Sequence, residues 1–312
     1  MSAEESVREQ KMVRSPAAST TAMDLTAIVV CTLAWGTTWF AITLQLGVVD
    51  PVVSLTYRFA LSAALLFAWS AFRRERIALT RAQHIAAFGL GFFTFGVNYT
   101  LVYWAEQWVT SAVVAVLFAS MAFVNLAVFR LVFGQRAPVL AWAASGLGVI
   151  GVALLSWTEV VGAQLDQRAI LGIVLTLVGV LGAAIGNVFA RNGEVAGAAV
   201  APYTGWAMGY GALLLALFAT ATGKTWTFEP TFGYVASLIH LSLNGSVIAF
   251  LLYYGLARRR GYTTASYISA LAPPLAMLVS SLFEAKTWGP FALAGVALVL
   301  AGQYLLLRAK RT

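Results

Sequence analysis

The chain has 312 residues, of which 60% are apolar and only 10% are charged, and its mean hydropathy is +0.82. A soluble domain is typically ~45–50% apolar and ~25% charged, and a soluble fold of this length could not bury so much apolar surface. The composition therefore indicates a membrane protein. It excludes a cytoplasmic enzyme, a nucleic-acid-binding protein and a disordered chain, despite the net charge of +8.

Taken in chain order, the sequence begins with a polar segment and continues as apolar stretches. Residues 1–23 are rich in Ser, Ala and Thr, which is typical of a disordered, flexible tail on the cytoplasmic side. A helix needs about 20 apolar residues to cross a bilayer, and in lipid its backbone groups must bond to one another. Charge clusters and Gly or Pro breaks therefore predict an all-α integral membrane protein with short connections. Its ten predicted spans are residues 25–45, 52–72, 82–104, 109–133, 138–157, 169–190, 199–221, 233–256, 262–283 and 289–307.

Basic residues are distributed unequally between the two sides of this predicted bundle. The tail, the even-numbered loops and the C-terminus hold 16 Lys and Arg residues, whereas the odd-numbered loops hold three. Cytoplasmic loops carry an excess of Lys and Arg, so both termini are predicted to be cytoplasmic. Arg58, near the outer end of span two, is the remaining basic residue. Topology thus explains the basic composition without a nucleic-acid partner.

The two halves of the chain resemble each other at a spacing of about 150 residues. Thr110-Ser111-Ala112 begins span four and Thr263-Thr264-Ala265 begins span nine, while Pro51 and Pro202 mark the starts of spans two and seven. The predicted repeats are residues 24–157 and 169–308, joined by an outer linker over 158–168. Five spans in each half require the second half to be inverted, an arrangement characteristic of alternating-access transporters. The alternative is that any helices rich in Ala, Leu and Gly resemble one another.

Four motifs extend this interpretation. They are Trp35-Gly36-Thr37-Thr38-Trp39-Phe40 in span one, Ala184-Ile185-Gly186-Asn187 in span six, the segment from Ala265 to Pro273-Pro274 in span nine, and Phe283-Glu284 before span ten. Over residues 24–308 the chain resembles the EamA family of the drug/metabolite transporter superfamily. The resemblance implies an inner (plasma) membrane transporter, commonly an exporter of amino acids or other metabolites. It also implies that spans one, three, four, six, eight and nine face a central cavity.

Polar and aromatic side chains within the predicted spans are the candidates for substrate binding, because polar groups at membrane depth usually face a cavity or a neighbouring helix. Aromatic rings hold apolar solutes and can bind an ammonium group. Each amide or histidine could instead only join helices, and each tryptophan could only pack. The candidates are Trp35, Thr38, Asn98, Tyr99, Tyr103, Asn187, His240, Asn244, Ser266, Tyr267 and Ser269.

A double proline lies near the middle of span nine. Pro273 and Pro274 cannot donate backbone hydrogen bonds to the carbonyls of Ser269 and Ala270, and their rings kink a helix. We expect a hinge beside the substrate site. The alternative is a packing kink that does not move.

The charged residues narrow the choice of substrate and mechanism. Asp24, Asp50, Glu106 and Glu284 all lie near span ends, so the sequence predicts no carboxylate deep in a span for proton coupling and favours export down a gradient over proton exchange. Phosphorylated substrates would need buried Lys or Arg. Arg58, near a span end, does not meet that need. We expect a neutral or zwitterionic metabolite, such as an aromatic or bulky apolar amino acid.

Two other function classes remain open at this stage, an intramembrane enzyme and a solute channel. The enzyme would need a nucleophile–base pair, paired carboxylates or a metal cluster, and two histidines cannot form a zinc site with the single Cys31. The channel would need a ring of like groups along one pore. We expect no enzyme activity, metal or cofactor, and a monomer in contact with membrane lipid and a small-molecule substrate.

Overall fold

All regular secondary structure in the described part of the chain is helical. The computed structural model describes residues 15–162, 167–285 and 287–308, and these contain no strand. Residues 1–14 of the predicted tail and 163–166 of the predicted linker lie outside the described residues. The first helix begins at Ser15, so its first turns include residues 15–23, which the sequence predicts as tail. Pro16 suits the first turn of a helix, and several alanines follow it.

The helices are labelled α1 to α10 in chain order, with an interrupted helix given one label. They are α1 (Ser15–Thr43), α2 (Pro51–Phe72), α3 (Arg81–Ala105), α4 (Ser111–Phe118 and Met121–Phe133), α5 (Val139–Gly162), α6 (Gln167–Val195), α7 (Val200–Ala221), α8 (Phe232–Arg260), α9 (Tyr262–Ala265 and Ile268–Phe283) and α10 (Pro290–Arg308).

Seven of these helices are long and apolar enough to cross a membrane, namely α1 from Ala22 onward and α2, α3, α4, α6, α7 and α8. The apolar stretches Val139–Gly151, Leu271–Phe283 and Pro290–Gly302, in α5, α9 and α10, are shorter. The large apolar side chains that remain exposed, such as Phe232 at 89%, are typical of a surface that faces lipid. The structure is therefore that of a multi-pass membrane protein. Ten complete crossings and the inverted orientation stay predictions.

The same irregularities occur at matching places in the two halves. π-helical stretches interrupt α3 at Gly91–Asn98 and α8 at Leu243–Ile248, about 150 residues apart. A turn at residues 119–120 divides α4, and another at residues 266–267 divides α9, again about 150 residues apart. π-helical turns occur frequently at functional sites. These four breaks therefore indicate a candidate functional site in the region between the halves.

Helices from the two halves pack directly on one another, α2 against α7 and α5 against α10. Glycine permits the second contact. A Cβ atom on Gly151 would lie 2.4 Å from the Gly295 carbonyl oxygen, and one on Gly302 would lie 2.5 Å from the Ala144 carbonyl oxygen. Small residues at membrane helix interfaces allow backbones to approach in this way.

Candidate functional site

A cavity of about 70 Å³ lies among α1, α2, α3, α4, α6, α8 and α9. Seven of its lining residues are aromatic, and the others are small, polar or aliphatic except for one arginine. The lining residues are Trp35, Thr38, Trp39, Ile42, Arg58, Thr94, Asn98, Tyr99, Phe118, Met121, Ala183, Asn187, Phe250, Tyr253, Tyr254, Ser269 and Ala272.

Six of the eleven predicted binding residues line this cavity, which brings together side chains from four helices. The six are Trp35, Thr38, Asn98, Tyr99, Asn187 and Ser269. Tyr103 lies one helical turn beyond Tyr99 and is buried at the edge of the cavity, where its hydroxyl group contacts Arg58. Substrate contact by any of them stays a prediction.

His240 and Asn244 lie outside the central cavity. They line a separate groove on the surface between α1 and α8. The His240 Nε2 atom is 3.1 Å from the Thr37 hydroxyl oxygen on α1, and its Nδ1 atom is 3.0 Å from the Asn244 side-chain nitrogen. These contacts agree with the alternative that the pair joins two helices.

Ser266 and Tyr267 form the turn that divides α9, and neither is among the cavity-lining residues. Tyr267 is buried in a small cluster with Ala122, Leu126 and other side chains of α4 and α5. Ser266 instead takes part in a buried polar network behind the cavity wall. Sequence spacing alone could not separate these two positions from Ser269, one turn further along, which does line the cavity.

A network of amide and hydroxyl groups holds α4, α6, α8 and α9 together beside the cavity. The Asn187 side-chain nitrogen donates hydrogen bonds to the Tyr253 hydroxyl oxygen at 2.9 Å and to Asn125 Oδ1 at 3.2 Å. Asn125 in turn donates to the Ser266 hydroxyl group. Buried polar networks whose members are bonded make a packing arrangement rigid and unique. Asn187 and Tyr253 belong both to this network and to the cavity wall.

Trp35 forms a fixed part of the cavity wall. Its indole Nε1 donates a hydrogen bond of 3.1 Å to the carbonyl oxygen of Gly245, in the π-helical stretch of α8. Its ring packs against Phe250 and Tyr253, with centroid distances of 5.5 and 5.4 Å. A buried tryptophan whose N–H is satisfied presents its apolar ring without strain.

The π-helical stretch of α3 contributes two polar atoms that have no hydrogen-bond partner in the structure. They are the hydroxyl oxygen of Thr94 and the side-chain oxygen of Asn98, both on residues of the cavity wall. Both atoms are covered by α6, because a Cβ atom on Gly186 would lie 1.8 Å from the Thr94 hydroxyl oxygen and one on Gly179 would lie 3.2 Å from Asn98 Oδ1. Glycine at these two positions thus lets α6 approach the π-helical stretch closely.

Arg58 is the charged residue of the cavity wall, and its role was missed by the sequence analysis. It is 1% exposed, and its guanidinium carbon lies 4.6 Å from the centroid of the Tyr99 ring. Position along the span suggested a place near the membrane surface. The signal that could have found it is that charged side chains inside a span almost always face a cavity or the interior of the bundle.

Pro273 and Pro274 lie within the helical part of α9 that begins at Ile268. Two residues that line the cavity precede them, Ala272 directly and Ser269 one helical turn earlier. The double proline is thus next to the cavity along the chain. A hinge motion at this place stays a prediction.

Two carboxylates near span ends, Glu106 and Asp24, are buried in the structure, and the absence of proton coupling stays a prediction. Glu106, directly after α3, is 7% exposed, and neither of its carboxylate oxygens has a hydrogen-bond partner. Burial and the nearby Glu284 carboxylate raise the pKa of Glu106 well above its ordinary value, while Arg58 opposes this rise. Asp24 is equally buried but is paired with Arg259 and Arg260. Hydropathy does not reveal this burial, because the residues that interact with each group, Arg259 and Arg260 with Asp24 and Glu284 with Glu106, are distant in the sequence.

One family of known proteins matches both halves of the chain. The sequence pattern of the EamA-like transporter family matches residues 23–157 and again residues 170–308. The chain is 22% identical over 251 residues to the uncharacterized transporter YoaV of Bacillus subtilis, covering 80% of this chain and 85% of that protein. It is 27% identical over 108 residues to Protein PagO of Salmonella typhimurium, a match that covers only 35% of this chain and 36% of PagO.

A solved crystal structure has a similar fold. It matches with a TM-score of 0.70 and 18% sequence identity, covering 94% of this chain and 98% of the other. At this identity the likeness concerns the fold alone.

Proposed function

The chain belongs to the EamA-like transporter family of the drug/metabolite transporter superfamily, and from this premise we propose that it exports small zwitterionic metabolites, of which amino acids are the simplest class. It is a multi-pass protein of the inner (plasma) membrane. The central cavity is the observation that carries the proposal. Its wall combines seven aromatic rings with amide and hydroxyl side chains and one guanidinium group.

The topology proposed for this function has ten spans in two inverted repeats, with both termini in the cytoplasm. Two sets of ion pairs support it. Asp24, near the start of α1, pairs with Arg259 and Arg260 at the end of α8, and the topology puts both of these ends in the cytoplasm. Asp50, after α1, pairs with Lys224, after α7, at 3.0 Å, and the topology puts both of these residues outside.

Alternating access is the mechanism proposed for this arrangement. Each half supplies one helix with a π-helical stretch and one helix divided by a turn, and all four helices reach the cavity. Broken helices around a central site allow one half to move against the other about a fixed substrate. Pro273 and Pro274 are proposed as the hinge of α9, because the freed carbonyls of such a break face a cavity.

The substrate is proposed to be an aromatic or bulky apolar amino acid. Seven aromatic residues in the cavity wall favour an apolar side chain, which gains from leaving water. The rings can also attract an ammonium group. Phosphorylated solutes are disfavoured because the cavity wall, over the described residues, carries a single cation.

Efflux from liposomes tests the proposal. Purified protein is reconstituted, the vesicles are loaded with one labelled amino acid at a time, and efflux is followed with and without a pH gradient. We expect saturable efflux of aromatic or bulky apolar amino acids. Flux that does not saturate and is fast per molecule would indicate a channel, and no efflux of any amino acid would contradict the proposal.

A pair of aromatic substitutions controls the experiment. Trp35→Ala removes a ring of the cavity wall and should reduce saturable efflux by at least ~10-fold, since a ring contact and a hydrogen bond are both lost. Phe232→Ala removes an aromatic ring that is 89% exposed, and it should leave efflux unchanged.

A further inference from the structure

Arg58 carries a buried positive charge that no carboxylate contacts, although the Glu106 carboxylate lies near enough to interact with it electrostatically. Over the described residues, no carboxylate oxygen lies within 4.0 Å of its guanidinium nitrogens. An isolated buried cation is expensive, and charged side chains inside membrane spans are usually paired or mark the path of a substrate. The charge of Arg58 therefore requires an explanation beyond packing.

Neutral groups hold the guanidinium in one orientation. Arg58 Nε donates to the Ser246 hydroxyl oxygen at 3.1 Å, and Nη1 donates to the Tyr103 hydroxyl oxygen at 3.3 Å. Both hydroxyl groups donate their own hydrogens elsewhere, Ser246 to the Leu241 carbonyl oxygen and Tyr103 to Gln45. They are thus fixed as acceptors toward Arg58.

Part of the donor capacity of the guanidinium remains unused. The group has five N–H bonds. Over the described residues, one of them donates to Ser246 and one donates to Tyr103. The arginine lines the cavity, so its free N–H groups can be reached by a solute.

We propose that Arg58 binds the carboxylate group of the transported solute. This inference rests on the proposed function and names the group by which the substrate is recognised. A guanidinium matches a carboxylate with two parallel hydrogen bonds. One cation balances one carboxylate, whereas a phosphate dianion would need more positive charge than the described cavity wall offers.

The other charge of a zwitterion has aromatic partners on the cavity wall. The rings of Trp35 and Phe250 line the cavity and can attract an ammonium group. Arg58 and these rings thus supply partners for the two charges of an amino acid.

A matched pair of ligands tests the inference. Binding of L-phenylalanine and L-phenylalaninamide to the purified protein is measured by calorimetry, and efflux of both from liposomes is measured in parallel. At about pH 6, where the α-amino groups of both compounds are protonated, the two differ only in the carboxylate. We expect wild-type protein to bind phenylalanine ~10- to 100-fold more tightly than the amide, the range of hydrogen bonds to charged groups. Arg58→Gln should abolish this preference, and binding of the amide should change by less than threefold.

Arg130→Gln is the control, because Arg130 is exposed and does not line the cavity. It should retain the full preference for phenylalanine. If Arg58→Gln fails to fold, the wild-type comparison still decides, because equal binding of acid and amide overturns the inference by itself. Saturable efflux of both compounds at equal rates would refute the role of Arg58 and leave the proposed function standing. Absence of efflux for every amino acid would refute the proposed function itself.

Discussion

Gly186, in the Ala184–Asn187 motif of α6, allows that helix to pack against the π-helical stretch of α3. A Cβ atom at this position would lie 1.8 Å from the Thr94 hydroxyl oxygen and 3.1 Å from the Thr94 Cβ atom. The first distance is far below van der Waals contact, so Gly186→Ala must displace Thr94 or separate the helices. Overpacking of this kind costs ~1–3 kcal/mol of unfolding free energy.

We expect a second substitution to relieve the clash between the new Cβ atom and Thr94. Thr94→Ala removes the clashing hydroxyl group, which has no hydrogen-bond partner in the structure, and should cost less than ~1 kcal/mol alone. The double variant leaves a Cβ–Cβ distance of 3.1 Å, which a small adjustment absorbs. It should therefore be more stable than Gly186→Ala alone, with a coupling energy of ~1 kcal/mol or more.

Unfolding by SDS in detergent micelles measures these free energies for the wild type, both single variants and the double variant. Gly146→Ala is the control, because a Cβ atom at Gly146 would meet nothing within 4 Å. It should not destabilise the protein. Additive losses in the double variant, or full stability of Gly186→Ala, would refute the close approach of α3 and α6.

Two further predictions concern residues at helix ends. Burial and Glu284 raise the pKa of Glu106, so the folded protein favours the protonated carboxyl group. The stabilisation from this group is present at low pH and is lost as the pH rises through the raised pKa. Glu106→Gln should therefore raise the apparent melting temperature more at pH 8 than at pH 5, and an equal effect at both pH values would contradict this. Asp50 pairs with Lys224 and also accepts a hydrogen bond of 2.9 Å from the Val52 backbone N–H at the start of α2. Asp50→Ala should thus cost ~1 kcal/mol more unfolding free energy than Lys224→Ala, which removes only a partly exposed ion pair, and equal losses would exclude the cap.

The positions of the helices could be predicted from the sequence because hydropathy and charge determine them. The predicted span 52–72 corresponds to Pro51–Phe72, and the predicted span 199–221 corresponds to Val200–Ala221. In lipid a helix is the one local structure that makes all of its own backbone hydrogen bonds, so local composition determines where the helices lie. The family match over both halves agrees with this reading.

The cavity wall could be predicted only in part, because helical periodicity defines a face but not the neighbour of that face. His240 and Asn244 share a face of α8, and that face contacts Thr37 of α1 and not the cavity. The hydrogen-bond partners of Arg58 are Tyr103 and Ser246, which are 45 and 188 residues away along the chain. Such contacts depend on the tertiary arrangement and leave no local pattern in the sequence.

Cysteine labelling at the cavity tests most directly the claim that a solute binds between the two halves and is exposed to each side in turn. Cys31 is the single cysteine of the chain and is buried, so Ser269→Cys in a Cys31→Ala background places one thiol in the cavity wall. Thr225→Cys in the same background is the control, because Thr225 is exposed in the loop after α7 and does not line the cavity. The account predicts that a membrane-impermeant thiol reagent labels the cavity thiol from either side of oriented vesicles, and that a transported amino acid slows this labelling but not that of the control. Labelling from one side alone, with the same rate whether or not the amino acid is present, would contradict it.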